Sequence, residues 1–382
     1  MATPICPYFG TCGGCTSQHL NYAVQLENKK KQLVTAIGFG NVAVFSDKEY
    51  GYRNRMDFIF HQNGLGFRQK GKWFLIVDIE HCPISDERIN ILLKEVRTYF
   101  KDADTFNIKK HTGTFRYAVI RVADNETSIS FVLNEDSTTS GKAIDKIKEY
   151  ANKSTADNII VTYNPAESDV SISEEYFVVK GKDVLEATYL GKTFEYSIQG
   201  FFQNNHVMAE KMQKYVNELL KEYAQNDKEK EEENGGAKTI NAHLLDLYGG
   251  VGTFGIINAE LFKSVTIIEN VQQCIDAANK NIEKNKITNA KAIVLDAMHL
   301  KKLSFPKPLF VITDPPRSGM HPKTIEHLNA LEPEIIVYVS CNVQQLAKDV
   351  LKFKNYTIKS AALFDLFPQT NHSEAVVELA LK

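Results

Sequence analysis

From His243 onward the chain repeats one pattern: a short apolar run, a turn carrying a charge or glycine, then an amphipathic stretch. The apolar runs fall at 243–248, 265–268, 292–295, 310–313 and 335–339, with helical spacing at about 253–262 and 272–285. Strands alternating with helices build a mostly parallel sheet covered by helices on both faces. Ligands of such a sheet bind beyond the carboxyl ends of its strands. Those ends here carry Tyr248, Glu269, Asp296, Asp314 and Cys341. The expected fold is therefore α/β, with a Rossmann-like domain over this part of the chain.

The preceding part reads differently. Residues 1–17 are rich in cysteine and glycine, and 18–37 carry Leu26, Leu33 and Ile37 at helical spacing. From about 48 to 198, short β-like runs dominate, at 56–60, 73–77, 117–122 and 129–133. The expected division is a β-rich domain from 1–17 and 48–198, a helical segment 18–47 packed on the catalytic domain, and a catalytic domain 199–382. Residues 206–224 read as a helix, and the polar, charged, glycine-containing stretch 225–239 as a disordered linker.

Composition narrows the partners. Hydrophobic residues make up 43% and charged residues 24% of the 382 positions, as in ordinary globular chains. No apolar run of about 18 residues predicts a membrane span. No secretory signal opens the chain. The expected location is the cytoplasm, where six cysteines stay reduced. The net charge is −2, and the tract 227–233 supplies −3 of it, leaving a remainder of +1. A nucleic-acid surface would thus require local clustering of basic side chains. The chain is expected to act as a monomer.

The turn Gly250-Val251-Gly252-Thr253-Phe254-Gly255 matches GxGxxG. Glycines there permit a tight turn and close backbone approach to a ligand, and Glu269 at the end of the next strand can bind two ribose hydroxyls. A dinucleotide dehydrogenase shares these features. Asp246, just before the turn, favours a cationic, amine-bearing ligand such as S-adenosylmethionine, and Asp296 ends the third strand where an adenine edge can lie. Asp314-Pro315-Pro316-Arg317 forms a rigid loop, because proline fixes backbone angles. Its aspartate can accept from a base imide, and Arg317 can contact phosphate or carboxylate.

Cys341, in Tyr338-Val339-Ser340-Cys341-Asn342, reads as a nucleophile at a strand terminus, with Glu374 in His372-Ser373-Glu374 as a candidate base. A thiolate adding to carbon-6 of a pyrimidine makes carbon-5 nucleophilic enough to take a methyl group. Cys274 has no such setting and reads as a helix-packing residue. Cys6, Cys12 and Cys15 are spaced C-x5-C-x2-C, and Cys82 stands apart in His81-Cys82-Pro83. Four thiolates can hold a [4Fe–4S] cluster or a zinc ion, and the spacing does not decide between them.

The C-terminal half resembles the RNA 5-methyluridine (uracil-5-) methyltransferase family. The matching runs are Gly200 through Asn205, Asp246 through Gly255, Asp314 through Gly319, Tyr338 through Asn342, and Phe367 through Glu374. In the N-terminal half Tyr52-Arg53-Asn54-Arg55, Leu65-Gly66-Phe67-Arg68 and Ile76-Val77-Asp78-Ile79 also match. The resemblance implies Cys341 as nucleophile, Glu374 as base, and Gln203, Tyr248, Glu269, Asp296 and Asp314 lining a cofactor and base site. Gly250, Gly252 and Thr253 then belong to the S-adenosylmethionine turn. It further implies a [4Fe–4S] cluster on Cys6, Cys12, Cys15 and Cys82, within a β-rich RNA-binding domain. That cluster-bearing branch points to 23S ribosomal RNA as substrate, with tRNA as the alternative. An N-terminal oligonucleotide-binding-like domain of many relatives is expected to be absent. Gly249, where relatives carry cysteine, is expected to forgo a packing side chain. RNA 5-methylcytosine enzymes carry a cysteine in the Asp-Pro-Pro loop, where this chain has Arg317. DNA cytosine-5 enzymes have Pro-Cys where Ser340 precedes Cys341. A noncatalytic RNA-binding protein would not need both Cys341 and Glu374.

Overall fold

The computed structural model describes residues 2–226 and 239–382. The expected linker, 225–239, lies outside the described residues apart from its ends.

Helix α1 (Tyr22–Ile37) and strand β1 (Val42–Phe45) come first. A seven-stranded sheet follows: β2 (Arg55–His61), β3 (Gly64–Gln69), β4 (Lys72–Asp78), β5 (Phe115–Val122), β6 (Thr127–Asn134), β7 (Asn158–Asn164) and β8 (Tyr176–Lys180). Its order is β4-β3-β2-β5-β6-β7-β8, with β4 at one edge. Helices α2 (Glu87–Tyr99) and α3 (Ser140–Ala151) bury Ile89, Leu92, Leu93, Ile147 and Tyr150 in one cluster with Phe58, Phe60 and Phe131 of the sheet. Neither helix was expected. The spacing Ile89, Leu92, Leu93, Val96 is nonetheless a legible helical stripe.

The hairpin β9 (Val184–Tyr189) and β10 (Lys192–Ser197) leads to helix α4 (His206–Asn226). An α/β unit then runs β11 (Ile240–Leu247), α5 (Thr253–Ile257), β12 (Phe262–Glu269), α6 (Gln272–Lys284), β13 (Ala290–Val294), β14 (Leu309–Thr313), α7 (Pro322–Leu331), β15 (Ile335–Ser340), α8 (Val343–Val350), β16 (Tyr356–Phe364) and β17 (Glu374–Leu381). With β1 these strands form an eight-stranded sheet, β1-β16-β17-β15-β14-β11-β12-β13. Only β17 runs antiparallel to its neighbours. The order turns back between β11 and β14, and at such switch points ligands find a crevice. Val265, Ile267 and Ile268 of β12 are buried, each contributing about 1.5–3 kcal/mol by leaving water.

Three expectations need correction. The segment 18–47 is not wholly helical, because Val42–Phe45 pairs in parallel with β16. Four residues are too few for a periodic signal; the sheet edge supplies the partner. The stretch 184–198, expected in the β-rich domain, instead places Leu185, Tyr189, Phe194 and Tyr196 in the core cluster of the α/β unit. The rings of Tyr196 and Phe202 stack at 4.0 Å there. The helix expected at 253–262 ends at Ile257, since a 3-10 turn leads directly into β12 at Phe262. Among the described residues no helix is long and apolar enough to cross a membrane.

Candidate active site

Antiparallel register builds the centre of the site. Ser340 at the end of β15 pairs with Ala375 of β17. The next pair outward is therefore Cys341 opposite Glu374. On the other side of β15, Tyr338 pairs with Thr313, and Asp314 follows Thr313 directly. Thiol and two carboxyls thus converge at three neighbouring strand ends.

Electrostatics reflect that crowding. Burial pushes the Glu374 carboxyl well above its ordinary range, and repulsion from Asp314 adds to it, while Arg317 opposes both. Burial also holds Asp314 up to about 7. Burial raises the half-buried Cys341 thiol to about 11, with repulsion from Glu374 and Asp314 adding and Arg317 opposing. A guanidinium Nη of Arg317 lies 3.0 Å from His372 Nδ1, and its carbonyl accepts from Asn342 Nδ2 at 3.0 Å. The Asp-Pro-Pro-Arg loop is thereby tied to residues flanking both the Cys341 thiol and the Glu374 carboxyl. A thiol facing a carboxyl across one sheet register can add to an electrophilic carbon and have a proton removed beside it.

Across the switch point lies the glycine turn. Tyr248, Gly250 and Gly252 all have positive φ, at 59°, 53° and 89°, and only glycine takes such angles without strain. Asp246, fully buried, accepts from the Gly255 amide at 2.8 Å through Oδ2, while its Oδ1 has no partner among the described residues. Burial pushes this carboxyl up to about 7, with Asp314 and Glu269 adding repulsion. Glu269 accepts from the amides of Gly250, Asn270 and Val271. Thr253 Oγ1 accepts from Gln213 Nε2 at 3.3 Å. Asp296 caps the turn after β13 by accepting from the Met298 amide at 2.9 Å. Gly249 corrects an expectation: a Cβ there would stand 2.5 Å from Ile267 Cγ2. Ile267 already fills that space, so no packing is forgone.

Sequence reasoning missed what fixes the loop before Glu374. Gln369 is buried with φ 67°, and its amide nitrogen and side chain bond reciprocally to the Gln25 side chain at 3.0 and 2.9 Å. Its carbonyl accepts from Thr16 and Ser17, next to Cys15. Lys29 forms a buried ion pair with Asp365 at 2.6 Å and also donates to the Phe367 carbonyl. Tyr52 donates to the Pro368 carbonyl. Gln25 and Lys29 face inward with Leu33 on α1, so polar residues line the buried face of that helix. Asn54 reaches the other flank, bonding the carbonyls of Gln203 and Asn204. Asp349, buried on α8, accepts from Tyr338 Oη and the Met320 amide, fixing the chain beyond Asp314. An acid on the apolar face of a short helix was the signal available for it.

Cys6, Cys12, Cys15 and Cys82 all line one cavity of about 370 Å³ between the N-terminal segment and β2. None of the six cysteines forms a disulfide. Among the described residues, no three His, Cys, Asp or Glu side chains stand close enough to hold a single metal ion. Cys274 is half-buried on α6 beside Glu269.

Sheet order and site together define an α/β protein in which a thiol and two carboxyls meet beside a glycine-rich crevice. Residues 21–382 match the family model for tRNA (Uracil-5-)-methyltransferase, and the chain belongs to that family. It is 34% identical to the tRNA (uracil(54)-C(5))-methyltransferase of Pyrococcus abyssi, over 98% of this chain and 85% of that protein. An uncharacterised RNA methyltransferase of Caldanaerobacter subterraneus is also 34% identical, covering 97% and 83%. The crystal structure of the Pyrococcus abyssi enzyme with S-adenosyl-L-homocysteine is similar, with a TM-score of 0.78, 32% identity, and coverage of 97% of this chain and 86% of that one.

Proposed function

We propose that the chain uses S-adenosylmethionine to methylate carbon-5 of a uridine in RNA, through a covalent bond from Cys341 to carbon-6. The observation that carries this reading is the β15–β17 register, which faces Cys341 to Glu374. The thiolate of Cys341 adds to carbon-6 and leaves an enolate at carbon-5. The cofactor, when bound, supplies a methyl group on a sulfonium. Glu374 accepts the carbon-5 proton, and elimination at carbon-6 frees the cysteine. Asp314 and Gln203 hold the base, and Arg317 is the cation that opposes the burial of Cys341 and Glu374.

Gly250, Gly252 and Thr253 take the cofactor at the turn with Tyr248 beside it, Glu269 its ribose, and Asp296 its adenine edge. The left-handed glycines and the unpartnered Oδ1 of Asp246 suit a cationic ligand held close to the backbone. The homocysteine complex of the Pyrococcus abyssi relative supports the same cofactor. For the RNA, the names of the Pyrococcus abyssi, furiosus and horikoshii relatives support tRNA over the 23S ribosomal RNA expected from sequence. A [4Fe–4S] cluster on Cys6, Cys12, Cys15 and Cys82 remains part of this reading. Four thiols facing one cavity suit a cluster in which each iron takes one thiolate.

The test is methyl transfer from labelled S-adenosylmethionine to unmodified tRNA and 23S ribosomal RNA transcripts, followed by nucleoside analysis. Labelled 5-methyluridine in tRNA is expected. Label only in ribosomal RNA would overturn the tRNA reading, and no 5-methyluridine in either would overturn the activity.

A further inference from the structure

The seven-stranded sheet ends in an edge that ordinary fold protection does not explain. Strand β4 is one of the sheet's two edges, the other being β8, and three consecutive large side chains on it face water: Trp73 is 59% exposed, Phe74 40% and Leu75 40%. Edge strands are usually blunted by charge and kept free of contiguous apolar surface. Lysines do flank this edge, in Arg68-Gln69-Lys70-Gly71-Lys72-Trp73-Phe74, but they accompany the rings rather than replace them.

Cations sit on those rings. Lys109 Nζ lies 4.1 Å from the centre of the Phe74 ring, and the Arg68 guanidinium 5.8 Å from that of Trp73. Between the hairpin and the 105–109 loop opens a cavity of about 470 Å³, lined by Phe74, Phe106, Lys109 and Arg116 among others. Arg68 is neutralised by Asp169 at 2.7 Å. Lys70, Lys72, Lys109 and Lys110 are exposed, and among the described residues none of them is held in an ion pair. In a chain of net charge −2, this grouping of cations without carboxylate partners around flat apolar rings is a local construction.

We propose that the β3–β4 hairpin and the 105–111 loop form an RNA-docking platform separate from the target-base pocket. Unpaired bases stack on Trp73 and Phe74, and the phosphates between them meet Lys70, Lys72, Lys109 and Lys110. Aromatic faces accept any base, and lysines on a flexible stem track a backbone without reading sequence. A protein strand added to this edge would have to approach through the same lysines, which favours a polyanion as occupant. The platform is joined to the reaction centre by the cysteine segment. Gly13 donates to the Arg68 carbonyl, Lys70 donates to the Thr11 carbonyl, and further along the same segment Thr16 and Ser17 donate to the Gln369 carbonyl on the loop before Glu374. RNA gripped at the hairpin therefore lies against the segment that braces the catalytic base.

This inference rests on the reading that the substrate is RNA. Trp73 is the only tryptophan of the chain, so its fluorescence reports on the platform alone. The wild-type protein is titrated with an end-labelled unmodified tRNA transcript, following label anisotropy and tryptophan emission together. Quenching that tracks the anisotropy isotherm is expected. Binding with unchanged tryptophan emission overturns the platform and leaves the RNA reading intact. No binding to tRNA or to 23S transcripts by anisotropy overturns the RNA reading itself. The Trp73→Ala,Phe74→Ala variant should raise the KM for RNA about tenfold with kcat within about twofold, and Trp73→Phe should restore most of it. Lys70→Ala,Lys72→Ala should flatten the salt dependence of log Kd by about 2. Unchanged KM and salt slope, or a fall in kcat alone, overturns the proposal. These side chains are exposed, so an unchanged thermal midpoint is expected in every variant.

Discussion

The chain gathers cysteine at two places, and their company differs. Cys341 stands alone among acids: Glu374 faces it across a strand pair, Asp314 lies one strand over, and Arg317 is the opposing cation. Cys6, Cys12, Cys15 and Cys82 stand among one another, around a single cavity. Burial raises the Cys12, Cys15 and Cys341 thiols alike, so desolvation does not distinguish the sites. Neighbours do. A lone thiol with a carboxyl opposite suits the covalent chemistry proposed for Cys341 and Glu374. Several thiols around one volume suit the shared ligand proposed for them. The stretch 15–17 joins the two, since it leaves Cys15 and bonds directly to Gln369 on the loop before Glu374.

The sharpest way to break this contrast is at Cys341 itself. Cys341→Ala should lower methyl transfer by about 10^4-fold or more, because the group that opens the reaction is gone. Glu374→Gln keeps that group and removes the proton acceptor, so methylated RNA should stay attached to the protein and survive denaturation as a shifted band. The Cys341→Ala,Glu374→Gln double variant should give none. A band that persists without Cys341 would mean another nucleophile.

The brace between the two sites comes next. Lys29→Met leaves Asp365 buried without its cation, and denaturant unfolding should show a loss of roughly 3–5 kcal/mol. The Lys29→Met,Asp365→Asn pair should recover much of it. Equal stability of single mutant and wild type would mean the pair does not hold the loop.

At the four-cysteine cavity, Cys82→Ser should remove most iron from anaerobically purified protein. Acting through the brace rather than on the substrate, it should reduce activity by about 10–100-fold, well short of Cys341→Ala. Stoichiometric zinc and no iron in the wild-type protein would contradict the cluster.

The mildest test is titration. With the Cys341 thiol held up to about 11, its thiolate fraction should rise about tenfold per pH unit between pH 7 and 9. Iodoacetamide alkylation of Cys341, located by peptide mass, should follow that slope. A plateau below pH 8 would show that Arg317 outweighs burial.

Much of the site was legible before the fold. Cys341, Glu374, Asp314, Glu269 and the Gly250–Gly255 turn stand at strand ends that apolar runs mark out, because strand and helix periodicity is a local property. Helix α2 is equally legible in the apolar spacing of Ile89, Leu92, Leu93 and Val96. Lys29 and Gln25 gave no signal of use: on a helix dotted with lysine and glutamine they read as solvent-facing, yet both are buried.

The sequence by itself determined the succession of strands and helices, the chemistry at the strand ends, and the kinship of nearly the whole chain, since these reside in residues close together along it. Tertiary structure decided which ends meet. The facing of Cys341 and Glu374 depends on β17 entering antiparallel between β15 and β16. The bond of Gln25 to Gln369 spans 344 positions, and that of Lys29 to Asp365 spans 336. Such pairings have no period to read. They depend on the packing of the two sheets and α1, which closes the intervening chain and removes the water that would otherwise satisfy those polar groups.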